Sequence, residues 1–102
     1  MAIAPSPIVA LNRAIAVGQR DGPEKGLESI RAIANCDRLR QYPFYPAAIA
    51  ELELRRGDLT AAEQHFSAAA ALARSGVERR FLEKRVRDVT EAHRHHVAPT
   101  MH

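Results

Sequence analysis

The chain of 102 residues has room for one small folded unit; 46% of it is hydrophobic but only 5% aromatic, so alanine dominates and closely packed helices are favoured over sheets. No apolar run approaches the roughly 18 residues that cross a membrane, no charged-then-apolar leader is visible, and the single Cys36 excludes an internal disulfide, so a cytoplasmic protein is expected. The net charge is +3, and the whole basic excess sits near the C-terminus: Arg74 to Arg94 holds seven basic and four acidic side chains, the rest of the chain eight of each.

Residues 1–5 are expected to form a flexible lead. Ser6 and Pro7 make a good helix start, with Ser6 as N-cap and Pro7 at the first helical position, where a missing N–H costs nothing. The first helix should run to about Arg20, with Ile8, Leu11, Ala14, Ile15 and Val17 as its apolar positions. Asp21-Gly22-Pro23 breaks it, and Pro23 can open a second helix lined by Leu27, Ile30, Ile33 and Ala34. Residues 35–43 form a link in which Leu39 and Tyr42 tuck inwards. A third helix begins near Phe44, and Pro46, Ile49, Ala50, Leu52 and Glu53 give it one small, apolar face. Gly57 ends this helix by taking φ > 0 at no steric cost. The turn at Arg56-Gly57-Asp58-Leu59 is so short that the helices on either side must fold back antiparallel.

In the fourth helix Leu59, Ala62, Phe66, Ala69 and Leu72 recur at three- and four-residue steps, the spacing of one helical face. Thr60-x-x-Glu63 reads as its capping box. A second box, Ser75-x-x-Glu78, starts a fifth helix over about residues 77–93, with Gly76 punctuating the break. Val77, Phe81, Leu82, Val86 and Val89 form its expected apolar stripe, so Phe81 is expected to be buried. Residues 94–102 have no periodicity and are expected to be a flexible tail.

Gly57, Ala62, Phe66 and Ala69 resemble the second half of a tetratricopeptide repeat (TPR), in which small residues let paired helices approach and one aromatic fills the gap. Gly22 and Gly57 lie 35 residues apart, each between two helical segments, against a TPR period of about 34. The resemblance implies an all-α fold: a TPR-like, right-handed stack of antiparallel helical hairpins within a single domain over residues 6–93. It comprises two repeats, about 6–35 and 44–74, and a C-terminal capping helix, 77–93, over the open apolar face. The first repeat is the poorer match, because Arg31 stands where Phe66 stands in the second. Two repeats fall short of the usual three, so the fifth helix or dimerisation must make up the difference. The alanine-rich convex face permits a homodimer.

Little in the sequence points to catalysis or cofactors. His93, His95, His96 and His102 are closely spaced imidazoles of the kind that can bind zinc or nickel, but His93 and His95 fall on different faces of a helix and no cysteine or well-placed carboxylate completes a site. Cys36 lacks a resolving cysteine or a paired histidine and reads as a small packed residue rather than a redox thiol. There is no Gly-rich phosphate loop and no nucleophile elbow. No enzyme, metal or cofactor is expected.

Protein contact is the expected chemistry. Asn12 and Arg13 are polar residues inside an apolar first helix, where they could hold a bound peptide or an adjoining segment; a cap or an internal salt bridge is the plainer use. Arg55 and Arg56 stand at the hairpin turn. Arg80, Lys84, Arg87 and Arg94 share one face of the fifth helix. This stripe could meet nucleic acid or an acidic protein surface, but Glu83, Asp88 and Glu91 flank or interrupt it. No aromatics interleave to stack on bases, so a solvated face laced with ion pairs is favoured and nucleic-acid contact is not expected.

Two segments narrow the reading. Ser6-Pro7-Ile8-Val9-Ala10-Leu11-Asn12-Arg13-Ala14-Ile15-Ala16-Val17 and Glu78-Arg79-Arg80-Phe81-Leu82-Glu83-Lys84-Arg85 resemble parts of the C-terminal TPR-containing extension of a group of bacterial extracytoplasmic-function sigma factors. Asp21-Gly22-Pro23, Tyr42 to Ala48, and Leu54-Arg55-Arg56-Gly57 fall between them in the expected order. The match covers about residues 6–90. The resemblance implies a regulatory or protein-contacting module of a transcription initiation factor, with the factor's own modules, RNA polymerase or a regulator as partner. The family's polymerase-binding and promoter-reading modules are not part of this sequence, so those contacts carry over to no residue here. A TPR scaffold that binds a peptide or partner protein and is unrelated to transcription is the competing reading.

Overall fold

The computed structural model describes residues 7–33, 37 and 39–97, with side chains up to residue 94. Among the described residues there are five α-helices and no strand: α1 (Pro7–Asp21), α2 (Pro23–Arg31), α3 (Phe44–Arg56), α4 (Leu59–Ala71) and α5 (Gly76–Val97). The Ser6 cap, the lead at 1–5, Ala34, Asn35, Cys36 and residues 98–102 lie outside this set, as do the side chains of His95 and His96.

Two glycines turn the chain back on itself. Gly57 has φ +91°. The Asp58 amide donates to Glu53 O at 2.9 Å and the Gly57 amide to Leu54 O at 3.0 Å, a Schellman closure that satisfies two orphan carbonyls. Gly22, at φ +102°, separates α1 from α2, and Pro23 opens α2 as expected. Asp58 then starts α4. Its carboxylate accepts the Ala61 amide at 3.0 Å, so Asp58 is the N-cap and the expected box at Thr60 does not form. Glu63 is instead hydrogen-bonded by the Thr90 hydroxyl of α5.

The first hairpin is drawn tight by a pair of glycines. A Cβ on Gly26 would stand 2.7 Å from the Gly18 Cα, and one on Gly18 would stand 2.6 Å from Leu52 Cδ2. Backbone meets backbone here, and Leu52 of α3 fills the notch. Leu11, Ala14, Leu27, Ile30, Leu39, Ala48 and Leu52 form one buried cluster. Ala47, Ala50, Ala62, Phe66, Ala69, Leu82 and Val89 form a second. α3 contributes to both. Leu39, in the link, is inside as expected, and half-buried Tyr42 stacks edge-on against Phe44 with centroids 5.6 Å apart.

The fifth helix departs from expectation at both ends and in the middle. It starts at Gly76 and runs through Val97, so residues 94–97, expected in the tail, are helical. Ser75 caps it, its hydroxyl accepting the Glu78 amide at 3.1 Å. Glu78 does not complete the box; its carboxylate accepts the Arg74 amide at 2.9 Å. Leu82 and Val89 are buried, whereas Phe81 is 50% and Val77 70% exposed. α5 packs chiefly on one neighbour, α4, and one neighbour covers only a narrow arc. The expected stripe was wider than that arc. Ile8 is exposed for the same kind of reason, at the open start of α1. α2 ends at Arg31, so Ile33, expected to line it, lies beyond its end.

Gly26→Ala should lower unfolding stability by about 1–3 kcal/mol, because the new methyl meets backbone that cannot yield. Gly76→Ala, where a Cβ would meet nothing nearer than an arginine tip at 3.4 Å, should be neutral or slightly stabilising. Urea melts of the two variants check the contrast, and equal effects would refute the close approach.

Candidate functional site

α1, α3 and α5 together enclose a concave trough. Its larger end, about 370 Å³, is lined by Asn12 and Ile15 of α1, Tyr42 of the link, Phe44, Ala47, Ala48 and Glu51 of α3, and Phe81 of α5. A second hollow of about 260 Å³ continues it past Gln19, Leu52 and Arg55, sharing Ile15, Ala48 and Glu51 with the first. Helical spacing builds the α1 wall and the α3 floor. Asn12, Ile15 and Gln19 recur at three and four residues on α1; Phe44, Ala48, Glu51 and Arg55 do so on α3. The small side chains of Ala47 and Ala48 leave depth there.

The trough's charges are held from below. Arg85 of α5 grips Glu51 with a fork, Nε to Oε2 at 3.0 Å and Nη2 to Oε1 at 2.8 Å. It also donates to Asp88 at 3.2 Å, and its guanidinium lies 5.1 Å above the Phe66 ring of α4. One side chain therefore ties three helices. The hydrogen bonds to Glu51 raise the Arg85 pKa above its ordinary value, so it stays charged at every ordinary pH. Arg55, one turn from Glu51, donates instead to Gly18 O at 3.1 Å.

The expected contact residues are thus spread over several surfaces. Asn12 and Arg55 line the trough. Arg13 is exposed on α1 outside it. Arg56 is spent on structure, with Glu53 at 2.9 Å and Glu24 at 3.7 Å. Arg80 and Arg87 are exposed on α5, while Lys84 pairs with Asp88 at 3.0 Å and Arg94 with Glu91 at 3.7 Å. The basic stripe is therefore half neutralised. Hydrogen bonding from Lys84, then from Arg85, holds the Asp88 carboxyl below its usual range. His93 lines a separate hollow with Glu63, Thr90 and Arg94, and among the described residues no three of His, Cys, Asp and Glu gather as a metal set. No described helix is long and apolar enough to cross a membrane.

Gln19, Glu51, Phe81 and Arg85 were missed as site residues from sequence. Glu51 and Arg55 do repeat with Phe44 and Ala48 on one face of α3, so a polar as well as an apolar period could have flagged them.

Among curated proteins, an uncharacterised protein of Rhizobium meliloti (strain 1021) is similar: 36% identical over 78 residues, 76% of this chain. The chain spans 18% of that protein's length. No family model matches the sequence, and no solved structure matches it.

Two predictions concern the ties that hold α5 in place. A double-mutant cycle on Arg85→Gln and Glu51→Gln should give a coupling of about 0.5–1 kcal/mol, modest because Glu51 is 45% exposed; no coupling in thermal melts would show that the fork is not formed in solution. Glu78 is held below its ordinary pKa of 4.5, first by the Arg74 amide and then by its side chain. A depressed carboxyl contributes stability that is present above about pH 4.5 and is lost as pH falls through its folded value. Glu78→Gln should therefore flatten the acid side of the stability–pH curve and leave the neutral side parallel to wild type.

Proposed function

We propose that this chain is a non-catalytic protein-interaction and regulatory domain akin to the C-terminal TPR-containing extension of bacterial extracytoplasmic-function sigma factors. In this reading the helices form two TPR-like hairpins, α1–α2 and α3–α4, with α5 as the capping helix, and the domain works in the cytoplasm on a protein partner. One observation carries it. The two segments on which the resemblance rests lie at opposite ends of the sequence, yet both reach the same trough: residues 6–17 through Asn12 and Ile15, residues 78–85 through Phe81 and Arg85. A surface assembled from the most family-like segments is where a partner would dock. The short share of the Rhizobium protein that the chain covers fits a module that works beside other domains.

The partner expected is the sigma factor's own polymerase-binding or promoter-reading module, RNA polymerase or a regulator. Affinity-tagged protein should retain a cognate sigma module or core polymerase from a bacterial lysate, and Phe81→Ala should weaken that retention without changing the melt. Recovery of neither would overturn the sigma reading. The trough itself also suits a TPR scaffold unrelated to transcription. That second reading predicts capture of other partners, lost on the same substitution.

A further inference from the structure

We propose that the trough takes an extended, acidic peptide segment, with an apolar side chain seated against Ile15, Phe44 and Phe81 and a carboxylate at Arg55. This rests on reading the domain as a protein-interaction module, and it names the chemistry of the partner.

Charge accounting points to the carboxylate. Glu51 and Arg55 stand at i,i+4, the natural intrahelical ion pair. They are not paired: Glu51 is gripped by Arg85, and Arg55 is turned to Gly18 O. Arg55 has no carboxylate partner among the described residues, and its bond to a carbonyl fixes it in position without cancelling its charge. A positioned, uncompensated guanidinium at the end of a groove is suited to a carboxylate, which it meets with two parallel donors. At the other end Phe81 is half exposed beside Tyr42, Phe44 and Ile15, which together make an apolar seat.

Length and hydrogen bonding argue for an extended segment. Phe44 and Arg55 are eleven residues apart on α3, about 16 Å at ~1.5 Å per residue. An extended chain covers that in about five residues. Along the α1 wall, Asn12 and Gln19 make no hydrogen bond among the described residues, and each amide can both donate to and accept from a passing main chain. Between these groups the lining is Ile15, Ala47, Ala48 and Leu52 together with Glu51, whose carboxylate Arg85 already holds, which favours a peptide over a polyanion such as RNA, whose closely spaced charges would face alanine and that carboxylate.

The test uses fluorescence anisotropy with the whole protein. The probe is an acetylated, labelled hexapeptide with leucine near its start, serines in the middle and two aspartates at its end. Its counterpart carries lysines in place of the aspartates. The aspartate peptide should bind more tightly than the lysine peptide, and added salt should weaken it. Arg55→Gln keeps a donor for Gly18 O but removes the charge, and it should weaken the aspartate peptide about tenfold while leaving the melt unchanged. Phe81→Ala should weaken both peptides. No binding up to about 1 mM, equal binding of the two peptides, unaltered affinity in Arg55→Gln, or equal competition by a uridine oligomer would each overturn the proposal. If the peptide results hold but no sigma module is retained, the transcription reading fails and the trough's preference stands. If a sigma module is retained regardless of Arg55 and Phe81, the reverse follows.

Discussion

The contact on which the rest of the molecule depends is the meeting of Gly18 and Gly26. With no side chain between them, the backbones of α1 and α2 approach until a single Cβ would collide. The helices are short, and α2 has only nine residues, so neither would be stable alone. Close approach lets each bury a narrow face. It also leaves a notch for Leu52, which ties the hairpin to α3. Three residues after Leu52, on the next turn of the same helix, Arg55 reaches the carbonyl of the same Gly18. The position of one wall of the trough, and the orientation of the cation at its end, both follow from the absence of two methyl groups.

A second set of ties works at the other end of the molecule and is electrostatic in kind. Arg85 joins α5 to α3 through Glu51 and to α4 through the Phe66 ring. Arg74 lies 5.6 Å from the Tyr42 ring centroid and pairs with Glu78 at 3.2 Å, so it fastens the link before α3 to the start of α5. Exposed ion pairs are individually weak. Here they do something that hydrophobic burial cannot: they fix the rotation and register of a helix whose buried face is only an arc wide. The cost is that acidic side chains are consumed internally, and arginines are left over at the surface.

Much of the fold could be read from residue types with a local meaning. Gly22 and Gly57 marked both turns because positive φ is a backbone requirement that few residues meet. Leu27 and Phe66 marked buried faces because each repeats at helical spacing with its neighbours. The misreadings along α1 and α5 share one cause. Periodicity identifies which residues lie together on a helix, but not how much of that face a neighbour will cover. Val77 and Phe81 lie roughly 80–140° around the helix from Leu82 and Val89, at about 100° per residue, so a stripe drawn through all four is wider than the arc that α4 covers. At α4, Thr60-x-x-Glu63 satisfied a motif, but Asp58 was two residues earlier and in the right conformation to accept an amide first. The candidate site was harder still. Asn12 and Arg55 were singled out, but Glu51 and Arg85 are 34 residues apart, and no local pattern connects them.

α3 supplies Ala48 and Leu52 to one buried cluster and Ala47 and Ala50 to the other, while each remaining helix packs chiefly against its neighbours in the chain. Such connectivity is made almost wholly of short-range closures, which form quickly. It also sets an order of opening. α1 and α5 can each detach while the cluster at the other end stays whole, but α3 cannot be released until both clusters have come apart. The floor of the trough is therefore its most durable part, and the two walls are the parts able to move apart and close again.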